Sequence, residues 1–140
     1  MKFTRRSAAT NLLGMTALGT LLSAPLAAAD KAAKSSGTRH CFAVYYPWKE
    51  DAKFDYDYYR NTHLKMLAEL YGKSIGTMRA RKGLRRGDGS APAFVTALTV
   101  EILSMEAFNA AAKEHRPRLI ADLANFTNIT PIAQIEEVLD

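Results

Sequence analysis

Residues 93–102 read AFVTALTVEI, and their alternation decides the fold. Phe94, Leu98, Val100 and Ile102 fall on one side of an extended chain, and Val95, Ala97 and Thr99 on the other. That two-residue period is the mark of a strand. Immediately before it, residues 85–92 (RRGDGSAP) form a glycine-rich turn, and residues 75–84 read as a partner strand, which makes a hairpin. Further back, Asp55 is placed to cap a helix that runs to Tyr71 and stops at Gly72. On that helix Tyr59, Thr62, His63, Met66, Leu67 and Leu70 recur at three- and four-residue spacing and share one broad face. Residues 39–47, RHCFAVYYP, are an apolar run closed by Pro47 and read as the first strand, followed by a polar turn over 48–53.

On the far side of the hairpin, Ser104 caps a second helix through Met105, Phe108, Ala112 and Leu119, with Pro117 expected to kink or restart it. Residues 132–139 supply a last strand. The order is β-α-β-β-α-β, the split pattern of a ferredoxin-like α+β fold. A four-stranded sheet with both helices on one face leaves its other face open. The third strand carries few charges there, showing either Val95, Ala97 and Thr99 or the larger set, so a partner sheet is expected to cover it in a homodimer.

Ahead of this domain, the chain starts MKFTRRSAAT, continues with an apolar run from Ala8 to Ala24 and ends in SAPLAAAD. Charged, apolar and small-residue regions in that order make residues 1–29 a cleavable signal peptide, with Ala27-Ala28-Ala29 as the cleavage box. The run is broken by Thr10, Asn11, Gly14, Thr16, Gly19 and Thr20, too short and too polar for a stable membrane anchor. Arg5-Arg6 resembles a twin-arginine signal and points to the periplasm, although Ser7-Ala8-Ala9 replaces the bulky residues usual after the pair. Residues 30–38 are a small, polar, flexible lead-in, and 39–140 are the working domain. Lys2, Arg5 and Arg6 leave with the signal and no acid does, so 19 basic residues become 16 against 14 acidic, and a net charge of +5 falls to +2.

That near-neutral balance removes the argument for nucleic acid. The basic residues between Arg79 and Arg86 belong to a solvated hairpin end and have no interleaved aromatic platform. Cys41 has no second cysteine to pair with and reads as a small buried hydrophobe rather than a nucleophile. His40, His63 and His115 lack close-spaced partner ligands, so no metal site is expected. Gly83, Gly87 and Gly89 lie in a hairpin and open no helix, which excludes a dinucleotide loop. The Asn-x-Thr sequons at Asn125 and Asn128 are chance matches beside a bacterial-type signal.

The run YYPWKEDAKFDYDYYRNTHLKML resembles the EthD family in Tyr46-Pro47, Phe54-Asp55, the pair Tyr58-Tyr59 and His63 four residues on. The closing DLANFTNITPIAQIEEV is similar to the family's last segment, so the resemblance spans Phe42 to Val138. One departure is Lys65, where family members commonly have proline. The resemblance implies a dimeric α+β barrel of two ferredoxin-like subunits closing around a cavity. It also implies the family's usual label, an oxidoreductase linked to the breakdown of small organic compounds, ethers being the named case. Related barrels include cofactor-free monooxygenases, haem-degrading enzymes, lactone isomerases and binding proteins, so the fold does not fix the reaction.

His63 is the only histidine in the motif and its imidazole can move a proton near neutral pH; it can equally be a hydrogen-bonded histidine at the core edge. Tyr59 sits one turn earlier on the same face, so the two are the candidate catalytic pair. Tyr46 and Trp48, at the mouth of the first strand, are candidates for an aromatic wall around an apolar substrate, or for packing. Tyr58 reads as packing, His115 as solvent-facing and Asp122 as a surface or capping acid. No cofactor is predicted and the cofactor-binding residues are unknown; haem stays open because one axial histidine suffices. Two functions follow: an EthD-type enzyme acting on a small apolar or aromatic compound with His63 as acid or base, or a non-catalytic periplasmic binding or assembly module.

Overall fold

The computed structural model describes residues 37–139. The expected signal peptide (1–29) and most of the lead-in (30–36) lie outside the described residues. The described chain forms β1 (Arg39–Pro47), α1 (Tyr56–Tyr58), a π-helical turn (Tyr59–His63), α2 (Leu64–Tyr71), β2 (Ile75–Lys82), β3 (Phe94–Ile102), α3 (Met105–Asp122) and β4 (Ile132–Val138). The strands make one antiparallel sheet in the order β2-β3-β1-β4, which is the ferredoxin-like α+β arrangement.

Local chemistry places both helix starts. The Asp55 carboxylate accepts the backbone N–H groups of Asp57 and Tyr58 at 3.0 and 2.9 Å, and the Ser104 hydroxyl accepts that of Ala107 at 3.3 Å. Gly72 ends α2 with a φ of 49°, a conformation that favours glycine. At the hairpin, Gly83 donates to the Val95 carbonyl at 2.9 Å. A Cβ there would collide with the Phe94 carbonyl, so only glycine lets the strands approach this closely.

The core lies between the helices and one face of the sheet. Phe42, Val44 and Tyr46 of β1 stand beside their register partners Val100, Leu98 and Thr96 of β3. Above them Tyr71 and Phe42 each meet the Phe108 ring of α3, at 5.1 and 5.4 Å. Leu67, Phe126 and Ile129 complete the buried cluster.

Four expectations need correction. The first helix is not continuous: a π turn interrupts it between Tyr59 and His63. α3 neither stops nor restarts at Pro117 but runs through it as one helix. Phe94 does not share the face of Leu98. Tyr46 pairs with Thr96 and Pro47 with Phe94, so Val95 is an extra residue, and this bulge turns the Phe94 ring onto Tyr45 at 5.0 Å. The open face, finally, is not bare and apolar. Arg81 donates to Thr99 at 2.9 Å, and Glu136 accepts from Tyr45 and Gln134 at 2.8 and 2.7 Å, so long polar side chains cover much of it. Strand ends also differ slightly, β2 closing at Lys82 and β4 at Val138.

Candidate functional site

The π turn places the two motif residues. The Leu64 N–H reaches back five residues to the Tyr59 carbonyl, one more than an α-helix allows. Tyr59 and His63 close the two ends of this widened turn and are buried, while Arg60, Asn61 and Thr62 between them are exposed. Their rings stack at 5.6 Å with 18° between planes, and Phe126 packs 4.6 Å from the imidazole.

His63 is held by a residue far away in the chain. Its Nδ1 lies 2.8 Å from Asp122 Oδ2 at the end of α3, both side chains being about nine-tenths buried. The other oxygen, Oδ1, accepts the Tyr58 phenol at 2.8 Å and the Asn125 amide at 2.9 Å. Burial alone pushes the Asp122 carboxyl up; the hydrogen bonds from Asn125, His63 and Tyr58 outweigh it and hold the group below its ordinary range. The same contact raises the Tyr58 phenol, whose proton Asp122 binds. An ionised carboxylate only accepts, so Nδ1 carries the hydrogen of this contact and Nε2 is the ring atom left to exchange a proton. No hydrogen bond from Nε2 joins it to another of the described residues. A proton acceptor oriented by a third group is the arrangement that acid–base chemistry uses.

Tyr59 is 1% exposed and packs edge-on against Phe54 and Tyr46 at 5.0 and 5.9 Å. Burial raises the phenols of both Tyr46 and Tyr59 far above their usual range, so both stay protonated. Trp48 stands apart from Tyr46. It is 45% exposed on the rim of a cleft of about 290 Å³ whose lining includes Ala52, Phe54, Tyr56 and Val95, whereas Tyr46 is buried behind Phe54. Cys41 is buried on the other face with its thiol toward Glu136 at 3.7 Å; burial first, then that carboxylate, raises it and keeps it a thiol. His115 is half-buried, 3.7 Å from Glu114. Among the described residues no three metal-ligating side chains gather, and no helix is long and apolar enough to cross a membrane.

Asp122, Tyr58 and Asn125 are the members that the sequence reading missed. Asp122 is no surface acid and Tyr58 is more than packing, because both turn inward to one hydrogen-bonded group. Asp122 stands 59 residues from His63, so no local spacing joins them. The available signal was the DLAN stretch of the closing segment, which carries both Asp122 and Asn125.

Fold and site together define a ferredoxin-like α+β protein with a buried, carboxylate-held histidine. An EthD-like protein of Ralstonia eutropha is 35% identical, superposes with a TM-score of 0.69, and is matched over 94% of its length by 74% of this chain. The chain therefore belongs to the EthD-like family. An ethyl tert-butyl ether D (EthD) family protein of Bacillus halodurans shares the fold at 16% identity and a TM-score of 0.53, over 71% of this chain and 99% of its own. No family model matches the chain. No curated protein matches it either.

Proposed function

We propose that this protein is an exported enzyme of the EthD type that acts on a small apolar or aromatic compound, with His63 as the group that takes and returns a proton. The observation that carries this reading is the 2.8 Å contact from His63 Nδ1 to the buried Asp122, which leaves Nε2 as the ring atom that exchanges a proton. Oxidoreductase chemistry is the family's implication; the residues of this chain supply orientation and proton handling. No cofactor is assigned, and a visible absorption spectrum of the purified protein tests for haem or flavin.

The test is His63→Ala, assayed on small aromatic compounds and ethers. For an acid–base group, turnover falls about a hundred- to ten-thousandfold while the variant stays folded. A variant that is strongly destabilised, yet whose folded fraction turns over substrate normally, ends the catalytic reading. The close packing of Tyr59 among Phe54, Tyr46 and Phe126 favours a second reading, a non-catalytic periplasmic binding or assembly module. Under it the wild type turns nothing over and His63→Ala changes only stability.

Residues 1–29 are, in this proposal, a twin-arginine-type export signal cut at Ala29-Asp30, supported by the basic, apolar and small-residue order of the sequence. N-terminal sequencing of periplasmic material should begin at Asp30. Intact Met1 in a cytoplasmic fraction would contradict it.

A further inference from the structure

The hairpin that joins β2 to β3 concentrates the positive charge of the domain. Residues 79–88 hold five of the 14 basic residues in 39–140 (Arg79, Arg81, Lys82, Arg85 and Arg86) and one of its 13 acids, Asp88, which makes +4. The remaining nine basic and 12 acidic residues of 39–140 sum to −3, so the molecule is electrically polar, with the hairpin as its positive part. Asp88 is occupied within its own turn: its Oδ1 accepts the N–H and the hydroxyl of Ser90, at 2.9 and 2.6 Å. Lys82, Arg85 and Arg86 make no ion pair among the described residues, and with Arg81 they line one hollow of about 300 Å³. The loop that carries them is closed by backbone hydrogen bonds, Arg86 donating to the Ser90 carbonyl at 2.9 Å and Gly89 to that of Arg86 at 3.0 Å. Two apolar side chains accompany these cations. Leu84, between Lys82 and Arg85, is 79% exposed. Trp48 shares a cleft with Gly83 and Pro92 at the base of the hairpin, where its backbone N–H donates to Ala93 at 3.0 Å. An exposed leucine alone needs no explanation, but one set among cations on a hydrogen-bonded turn is a pattern with a physical use.

We propose that this hairpin docks on an anionic phospholipid surface, with Leu84 entering the headgroup layer and Lys82, Arg85 and Arg86 set against the phosphates. The charge distribution supplies the orientation. An anionic bilayer draws the +4 hairpin and repels the −3 remainder, so the domain lands hairpin first. A leucine flanked by basic residues suits the boundary itself, because the leucine gains burial while the long cationic side chains stay among the headgroups. Trp48, an apolar ring with one polar N–H at the hairpin base, suits the same depth. A nucleic acid would call for aromatic side chains on which bases stack, and residues 79–93 contain none. Arg79 and Arg81 stand opposite Thr99 and Ala97 on the sheet, so the docking contact belongs to the tip and leaves the open sheet face to a second copy. The proposal is independent of the chemistry at His63.

The strands and the buried cluster lie within 39–140, so that segment carries its own core and is the protein tested. The probe is vesicles of an equimolar mixture of phosphatidylcholine and phosphatidylglycerol, compared with phosphatidylcholine alone. Binding is read by co-sedimentation and by the emission of Trp48, the single tryptophan of the chain. The expected result is binding to the mixed vesicles that weakens as salt is raised, with a blue shift of the Trp48 emission. Arg85→Gln combined with Arg86→Gln should weaken binding about 25-fold, at about fivefold for each cation near an anionic leaflet. Leu84→Ser should weaken it about tenfold through the lost apolar burial. Both variants should melt with the wild type, because all three side chains are exposed. The proposal is overturned if the wild type ignores the mixed vesicles, if it binds phosphatidylcholine alone as tightly, or if the charge variant binds like the wild type. It is equally overturned if Leu84→Ser loses nothing or the Trp48 emission does not move, since the cations would then serve a soluble anion or an acidic protein.

Discussion

Asp122 uses both of its oxygens, Oδ2 for the His63 imidazole and Oδ1 for the Tyr58 phenol and the Asn125 amide. Three donors therefore point at one acceptor. Asp122→Asn puts an amide into this ring of donors, so a repelling N–H must face His63 or the Tyr58–Asn125 pair. The expected loss is about 1–3 kcal/mol. His63 should also lose its preference for the Nδ1–H tautomer, which its ring nitrogen chemical shifts report. The pH dependence has a definite sign. Because the folded carboxyl is held below its ordinary range, the unfolded state binds more protons in acid. The stabilisation is present above the unfolded value of about 3.9 and fades as pH falls through the lower folded value. A melting series from about pH 6 to about pH 2 should fall more steeply for the wild type than for Asp122→Asn. Parallel curves would mean that the carboxylate does not carry the network.

The helix that bears the site was legible at its two ends and opaque in its middle. Asp55 and Gly72 act through local backbone chemistry, a side-chain acceptor at one end and a positive φ at the other, and both can be read residue by residue. The π turn leaves no such mark. Tyr59, His63, Leu67 and Tyr71 fit a helical stripe whether or not one turn holds an extra residue. Yet that residue is what stacks Tyr59 on His63. π turns are rare, and they recur where side chains must be aimed. Pro117 shows the opposite failure, a breaker that breaks nothing. It removes one N–H on an exposed stretch of α3, where water can satisfy the carbonyl left free, and the helix carries on. Phe94 was misplaced because alternation assumes a regular pleat, and a single bulged residue at Val95 reverses the facing of what precedes it. Asp122 was missed because its function depends on where α3 ends relative to the π turn, which is a property of packing.

At the scale of the whole molecule, the open sheet face is divided by chemistry. One end is apolar: Tyr45 meets Phe94 at 5.0 Å, lies in register with Ile132, and both neighbours remain substantially exposed, at 39% and 55%. The rest carries Arg79, Arg81, Glu101 and Glu136, both signs of charge on one surface. The Glu136 carboxyl is held low, first by Gln134 and Tyr45, and stays ionised at neutral pH. A uniformly greasy face would drive association without fixing its geometry, whereas this one can do both. The apolar end supplies the drive, and the charges penalise registers that bring like against like. A two-fold pairing sets the same patch against itself, and a patch holding both signs can be complementary to its own rotated copy. We therefore expect a homodimer closed through this face. Light scattering of the 39–140 domain at micromolar concentration should give twice the monomer mass, with dimerisation weakening as salt is raised because exposed charges are screened. Phe94→Asp combined with Ile132→Asp should yield a folded monomer, since neither side chain belongs to the buried core. A monodisperse wild-type monomer would remove the dimer, and a double variant that still dimerises would place the interface on another surface.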